Sequence, residues 1–275
     1  MAINLDKVGV EFTIPPFDYG PQTVELYHLG IGATELQFTY EKELKVIPSF
    51  AVVPAFMVLV ESVGLVGINP MMVVHGEQRI EILQRPIPWT GKTITTGKVV
   101  QIYDKGKGAL IVVEGVTHDE GGNQLFRNIY RLFDRGEGGF GGERGPGPKN
   151  EPPNRRPDHM VELSTWPHQH LIYRLSGDIN PLHVDPEFAK LVGYNRPILH
   201  GLCTFGFVCR AIMQACCDND PTRILDYEAR FSREVYPGEA IITEIWEETD
   251  QRVVIQAKTG DGRVVITNAA ATLSR

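Results

Sequence analysis

The sequence predicts an α+β chain made of two tandem copies of one unit, each a long buried helix wrapped by an antiparallel sheet. Three observations carry this. The chain has 275 residues, a length that suits one large domain or two of middling size. A Gly/Pro-rich stretch divides it near the middle, and the two sides share an ordered set of landmarks. Each side also holds one strongly apolar, helix-like segment followed by stretches of alternating polarity, the period of half-buried strands.

The first unit spans residues 1–134. Its opening residues, MAINLDKVGVEF, lack a charged segment leading into an apolar one, so secretion is not expected. The run from Phe50 to Val74 is the most apolar of this half. Pro54, Glu61 and Pro70 interrupt it, and the clean part before Glu61 is too short to span a bilayer, so a buried helix is expected. Lys98 to Thr117 alternates around Lys105-Gly106-Lys107-Gly108, a hairpin signal. Residues 135–157 carry seven glycines and five prolines in 23 positions; such a stretch builds no core and reads as a linker.

The second unit spans 158–275. Asp185 as N-cap, Pro186 at the first helical position and Gly193 past the end describe a short helix from 186 to about 192. Asp185 is therefore structural. Leu202 to Cys217 is apolar on nearly every face, with Arg210 its only charge, which marks a buried helix. Arg252 to Leu273 alternates around Gly260-Asp261-Gly262, a second hairpin. The units align through Tyr27/Tyr173, Pro48/Pro197, Gly91/Gly238 and Asn128/Asn268, at offsets of 146, 149, 147 and 140. This is the pattern of a diverged tandem duplication.

An apolar fraction of 42% is ample for a core, and a net charge of -7 argues against broad polyanion binding, nucleic acid included. An anionic ligand would need a few local cations instead. Cys203, Cys209, Cys216 and Cys217 fall within 15 residues of one apolar segment without CxxC spacing, so reduced core thiols are expected and no metal site.

Chemistry concentrates in Tyr173 to Gly201. Asp178 and Asn180 lie two apart in a loop shaped by Ser176-Gly177 and Pro181, with His183 close behind. A carboxylate and an imidazole sharing one water form a general acid–base pair, and Asn180 would orient that water by accepting and donating. The same residue types also suit a hydrogen-bonded turn with no chemistry. Gly201 opens the buried helix, where N–H groups lack partners, and a glycine lets a substrate oxygen approach. Gly201 N–H is thus a candidate oxyanion donor, though a glycine also serves close packing. His200 is expected to shape the helix entrance more than to transfer protons. Lone His28, His118, His159, His168 and His170 are expected to be ordinary surface or core residues.

The strings INPM (68–71), HGEQ (75–78), GGFGG (138–142), YRLSGDINPLH (173–183), PILHGLCTFGF (197–207), ARF (229–231) and PGE (237–239) cover most of the chain in order. Through them it resembles the 2-enoyl-CoA hydratase 2 family, the MaoC-like dehydratases, and within it the hydratase region of type 2 peroxisomal multifunctional enzymes. The resemblance implies a double hot-dog fold and reversible hydration of a trans-2-enoyl-CoA to a (3R)-3-hydroxyacyl-CoA. It implies that Asp178 and His183 activate the water, that Asn180 helps bind it, and that Gly201 N–H polarises the thioester carbonyl. It further places substrate contacts at His75, Gly76, Lys105, Ile179, Pro181, Leu182 and Phe231. Lys105 on a hairpin tip would meet a CoA phosphate as a flexible point charge, or be an ordinary solvated lysine.

The first unit has Gly32 where the second has Asp178, and no PLH or HG at the matching points. It is expected to be catalytically silent, with the lost loop leaving room for the acyl chain. Acyl-CoA is the expected partner, with no nucleic acid, no membrane and no resident cofactor, since coenzyme A is part of the substrate. A homodimer is expected because sheet edges commonly pair. The final Leu273-Ser274-Arg275 does not match the S-K-L peroxisomal address, so a cytoplasmic enzyme is expected, or a peroxisomal one within a longer polypeptide. The rival readings are a hot-dog thioesterase, a dehydratase of sterol, branched or carrier-bound thioesters, and a non-catalytic acyl-CoA-binding protein.

Overall fold

Alternating strands in both halves assemble into one antiparallel sheet, and the apolar helices lie within its curve. The computed structural model describes residues 3–274. The first half contributes β1 (Glu11–Thr13), β2 (Phe17–Tyr19), α1 (Pro21–Gly30), α2 (Leu36–Thr39), α3 (Phe56–Val66), β3 (Val73–Ile82), β4 (Gly91–Asp104), β5 (Ala109–Asp119) and β6 (Gln124–Asp134). The second contributes β7 (His159–Ser164), α4 (Gln169–Tyr173), α5 (Pro186–Leu191), α6 (Gly201–Cys216), β8 (Ile224–Phe231), β9 (Ala240–Thr249), β10 (Arg252–Thr259) and β11 (Val264–Leu273).

Strand order is β1-β4-β5-β6-β3-β8-β11-β10-β9-β7, with β2 also on β4. Five strands stand on each side of the β3–β8 seam in the same relative order. The seam pairs Glu77 with Arg230 and Ile80 with Tyr227. Its outer face is laced by ion pairs, Arg79 to Asp226 at 2.6 Å and Arg230 to Glu77 at 2.9 Å.

α6 is buried along Leu202 to Met213, as its all-round apolarity predicts. Its one charge is satisfied: Arg210 donates to Ile31 O at 3.1 Å and pairs with Glu35 at 3.3 Å. A buried guanidinium is tolerable only with such partners. The Asp185 cap is also found, its Oδ1 accepting from Glu187 N at 2.8 Å and Phe188 N at 3.3 Å.

The run from Phe50 to Val74 departs from the single buried helix expected. Pro54 separates a 3-10 turn, Pro48–Val52, from α3, because proline removes a donor and clashes with the preceding turn. One face of α3 is open, with Met57 and Val60 about two-fifths exposed (39% and 43%). Pro48–Val66 is long and apolar enough to cross a membrane, yet most of it is buried inside the fold.

The cores do not divide at the linker. Tyr27, Ile31, Ile47 and Phe50 of the first half join Phe205, Phe207 and Ile255 of the second in one large cluster. A smaller cluster holds Val58, Val66, Val99, Ile111 and Tyr130. The 135–157 segment has no helix or strand, as its composition predicts, but it is tied to the sheet. The Asp104 carboxylate accepts from Gly106, Gly139 and Gly141 N–H at 2.7, 2.9 and 2.7 Å. Asn150 donates to Glu228 at 2.9 Å and to Asn268 O at 3.2 Å.

Asn128 and Asn268 lie mid-strand in the corresponding strands β6 and β11, in different surroundings. Asn128 sits in regular β6 and bridges Gln78 to Ala51 O at 2.8 and 2.9 Å. Asn268 sits at a bulge with positive φ (50°), and its carbonyl accepts from Asn150.

Candidate active site

The signature loop folds back so that its polar groups meet the start of α6. Asn180 caps the 3-10 turn Pro181–His183, accepting from Leu182 N at 3.0 Å. One lone pair of its side-chain oxygen is thereby committed, and the amide N–H₂ is the group left for a water. Asp178 accepts from Asn180 N at 3.3 Å through one oxygen only. His183 is buried, and its Nδ1 donates to Ile198 O at 2.9 Å. That bond fixes the tautomer and leaves Nε2 as the working nitrogen.

One donor atom from each of Asp178, His183 and His200 lies within 4.8 Å of the others. A single water fits between groups so spaced. Burial raises the Asp178 carboxyl above its ordinary range, and the His183 charge only partly offsets this. Burial likewise lowers His183, against the pull of Asp178 and the Ile198 carbonyl. A carboxylate with a raised pKa is a better base near neutrality.

Gly201 is the first residue of α6, so its N–H has no partner within the helix. A Cβ there would stand 3.3 Å from the Phe231 ring, tighter than ordinary contact. Phe231 in turn meets the His75 ring edge-on at 5.2 Å. His75 bonds Glu77 O at 3.1 Å, and burial pushes its pKa down to about 4. Gly76 is the bulge between His75 and Glu77, with Arg131 O 3.2 Å from where a Cβ would sit. Four of the expected positions thus converge from β3, β8 and α6, next to the Asp178–His183 pair through the His200–Gly201 link.

The others are dispersed. Ile179 and Pro181 are exposed beside the pair and Leu182 is half-buried. Lys105 stands in the β4–β5 turn and donates to Arg144 O. It lines a cavity on the outer face with Arg131, Lys149, Arg230, Glu77 and Glu228. It is therefore tethered to the linker, unlike the free turn lysine that spacing suggests. His159, Cys216 and Glu247 form a second donor cluster at the β7 edge, where His159 already bonds Glu247 at 2.6 Å.

Two contributors escaped the sequence. Ile198 acts through its carbonyl, which any residue possesses, so no side-chain signal marks it. Tyr173 packs its ring 4.9 Å from His200. Gly32 itself leaves no space for a side chain. A Cβ on Gly32 would meet Phe207 at 2.8 Å and Arg210 at 3.2 Å, so α6 fills that space.

The chain is similar to known proteins over nearly its whole length. A model of the MFE-2 hydratase 2 N-terminal domain matches residues 17–136, and a MaoC-like domain model matches 148–270. The probable enoyl-CoA hydratase 2 of Dictyostelium discoideum is 42% identical, over 99% of this chain and 97% of its own. The peroxisomal enoyl-CoA hydratase 2 of Arabidopsis thaliana is 41% identical over 88% of this chain and 86% of its own. The MaoC-like dehydratase of Phytophthora capsici superposes with a TM-score of 0.89 at 35% identity, covering 99% of each chain. The sheet-wrapped helices are those of the double hot-dog fold. By sequence and by fold, the chain belongs to the MaoC-like enoyl-CoA hydratase 2 family.

Proposed function

We propose that this protein catalyses the reversible hydration of trans-2-enoyl-CoA to (3R)-3-hydroxyacyl-CoA in fatty acyl-CoA metabolism. The observation that carries it is the Asp178–His183 pair, spaced for one water beside the free N–H of Gly201. Asp178 takes a proton from the water as its oxygen attacks C3. His183, held at Nδ1 by Ile198, receives that proton on its bare Nε2 and passes it to C2, so the pair ends the turnover as it began. The Gly201 N–H steadies the enolate-like oxygen of the thioester, and the Asn180 amide orients the water. General acid–base catalysis supplies roughly 10²–10⁴-fold, and one oxyanion donor roughly 10²–10³-fold.

His75, Gly76 and Phe231 border the thioester end of the site; Ile179, Pro181 and Leu182 border the loop side. Lys105, on the cavity rim with Arg131 and Lys149, supports the phosphate end of CoA. Coenzyme A enters and leaves with the acyl group, so no resident cofactor is required. Relatives include a hydratase named as peroxisomal, which supports that compartment alongside the cytoplasm. The outermost strands β1 and β7 offer edges for pairing with a second copy.

The test is loss of enoyl-thioester absorbance with crotonyl-CoA and decenoyl-CoA for wild type, Asp178→Ala and His183→Ala. Both variants should lose at least about 100-fold in kcat with native circular dichroism. Activity within about tenfold of wild type in both would sink the assignment. Release of free thiol from saturated acyl-CoA would instead favour thioester hydrolysis.

A further inference from the structure

His200 stands at the joint between the two catalytic groups. It is fully buried, as the N-cap residue of α6, and its side chain does not perform the capping. Its Nε2 lies 3.1 Å from the main-chain oxygen of Asp178. A carbonyl only accepts, so this nitrogen carries the hydrogen and Nδ1 is bare. Its ring stacks on His183 with centroids 3.8 Å apart and planes 25° from parallel. Tyr173 flanks it at 4.9 Å.

A space-filling role does not explain these contacts. An apolar ring would fill the same volume, whereas the imidazole leaves Nδ1 buried without a partner. Buried polar atoms of that kind are costly and uncommon, so the polarity needs a use. The use on view is the bond to Asp178, 22 residues away in the chain. The two imidazoles also hold opposite tautomers, each fixed by a main-chain carbonyl.

We propose that His200 is a positioning residue of the hydration site. Its Nε2–H holds the Asp178 main chain and its ring face carries His183, so base and acid keep the separation one water requires. This rests on the hydration chemistry above. The groups facing it are His170 and Tyr173 from α4, Arg174 beyond that helix, and Asp178 and His183 from the loop. Burial, His183, His170 and Arg174 all oppose its protonation, against the single opposing pull of the Asp178 carbonyl. His200 therefore stays neutral while its stacked neighbour gains and loses a proton.

The experiment compares wild type with His200→Phe, which keeps a ring without the donor, and His200→Gln, which keeps a donor without the ring. His200→Ala keeps neither. Each single loss should lower kcat by about tenfold and His200→Ala by about 100-fold, with KM within about threefold and native circular dichroism. Wild-type turnover is measured first. An inactive wild type overturns the hydration reading and this one together; an active wild type with His200→Ala within about threefold overturns this one alone. Should the variants fail to fold, side-chain nitrogen NMR on wild type decides. A neutral, Nε2-protonated His200 from about pH 5 to 8 is expected; an Nδ1–H tautomer, or titration within that range, overturns the proposal.

Discussion

The two copies meet back to back at their signature turns, and the contrast there bears on why the proposed site lies in one copy and not in both. Tyr27 and Tyr173 pack across the join with ring centroids 6.0 Å apart, and Gln169 donates to the carbonyls of Leu29 and Gly30 at 2.8 and 2.7 Å. From Tyr173 the chain runs into Asp178, His183 and the open start of α6. From Tyr27 it runs into Gly32, which has φ +73° and no space for a side chain. Downstream, the HG pair of the second copy corresponds to Ala51 and Val52, and Pro54 delays α3 until Phe56. On the proposed chemistry, the first copy would therefore lack base, acid and oxyanion helix together. What it contributes is surface: α1 and the 44–53 segment complete the core around α6.

This contrast can be broken most forcefully from the active side. Asp178→Asn should lower kcat by roughly 10³-fold in the enoyl-CoA absorbance assay while leaving the melting temperature equal or higher. The sign follows from the raised carboxyl. A raised carboxyl favours folding below its unfolded pKa, and that advantage is lost as pH rises through the folded value. The charged form is therefore a cost at neutral pH, which the amide removes. For wild type, the acid limb of kcat/KM should lie above the pH at which an exposed aspartate ionises.

Gly201→Ala is the next test. The added methyl, 3.3 Å from Phe231, must shift the helix start or the ring. A loss of roughly 10-fold or more in kcat is expected, with little change in stability. Gly32→Ala should do the reverse. A positive φ and a 2.8 Å clash with Phe207 should cost about 3 kcal/mol in urea unfolding, with kcat of the folded fraction unchanged.

His28 offers a pH test of the silent copy. Its ring is fully buried between Phe38 O at 2.7 Å and Ile47 N at 3.1 Å, and burial lowers its pKa to about 4. With a folded pKa below the unfolded 6.5, stability is complete above pH 6.5 and falls below it. The loss should be about 2 kcal/mol by pH 5 from this residue, and His28→Gln should flatten that slope. The smallest effect belongs to Asp185→Ala, about 1 kcal/mol from a lost cap with turnover unchanged.

Periodicity and capping made much of the fold legible. α6 was expected at 202–217 and lies at 201–216; both hairpins and the Asp185 helix lie where their turn and cap residues place them. Local chemistry decides such elements, so local sequence reveals them. Long-range packing decided the rest. Nothing near Gly32 in sequence says that Phe207 occupies its side-chain space. Nothing in 135–157 says that Asp104 will gather three glycine N–H groups from the turn and the strap. Asp178, Asn180, His183 and Gly201 stand out as candidates through their types and spacing, whereas His75, Gly76, Lys105 and Phe231 enter only through the family resemblance. The groups that aim the former were not legible, because Ile198 acts through its carbonyl and His200 through contacts 22 residues distant.

The β3–β8 seam carries a further consequence. Nine register pairs bind β3 to β6 on one side, and five bind it to β8 on the other. Either half expressed alone would present that strand as a bare edge with its alternating charges uncovered. Such an edge recruits whatever strand is nearest, and for a lone half the nearest strand is on a second copy of itself. A single-repeat ancestor would therefore have lived as a symmetric pair with two equal corners. Joining two such copies by a glycine-rich strap would make the pairing permanent and leave the two corners free to differ.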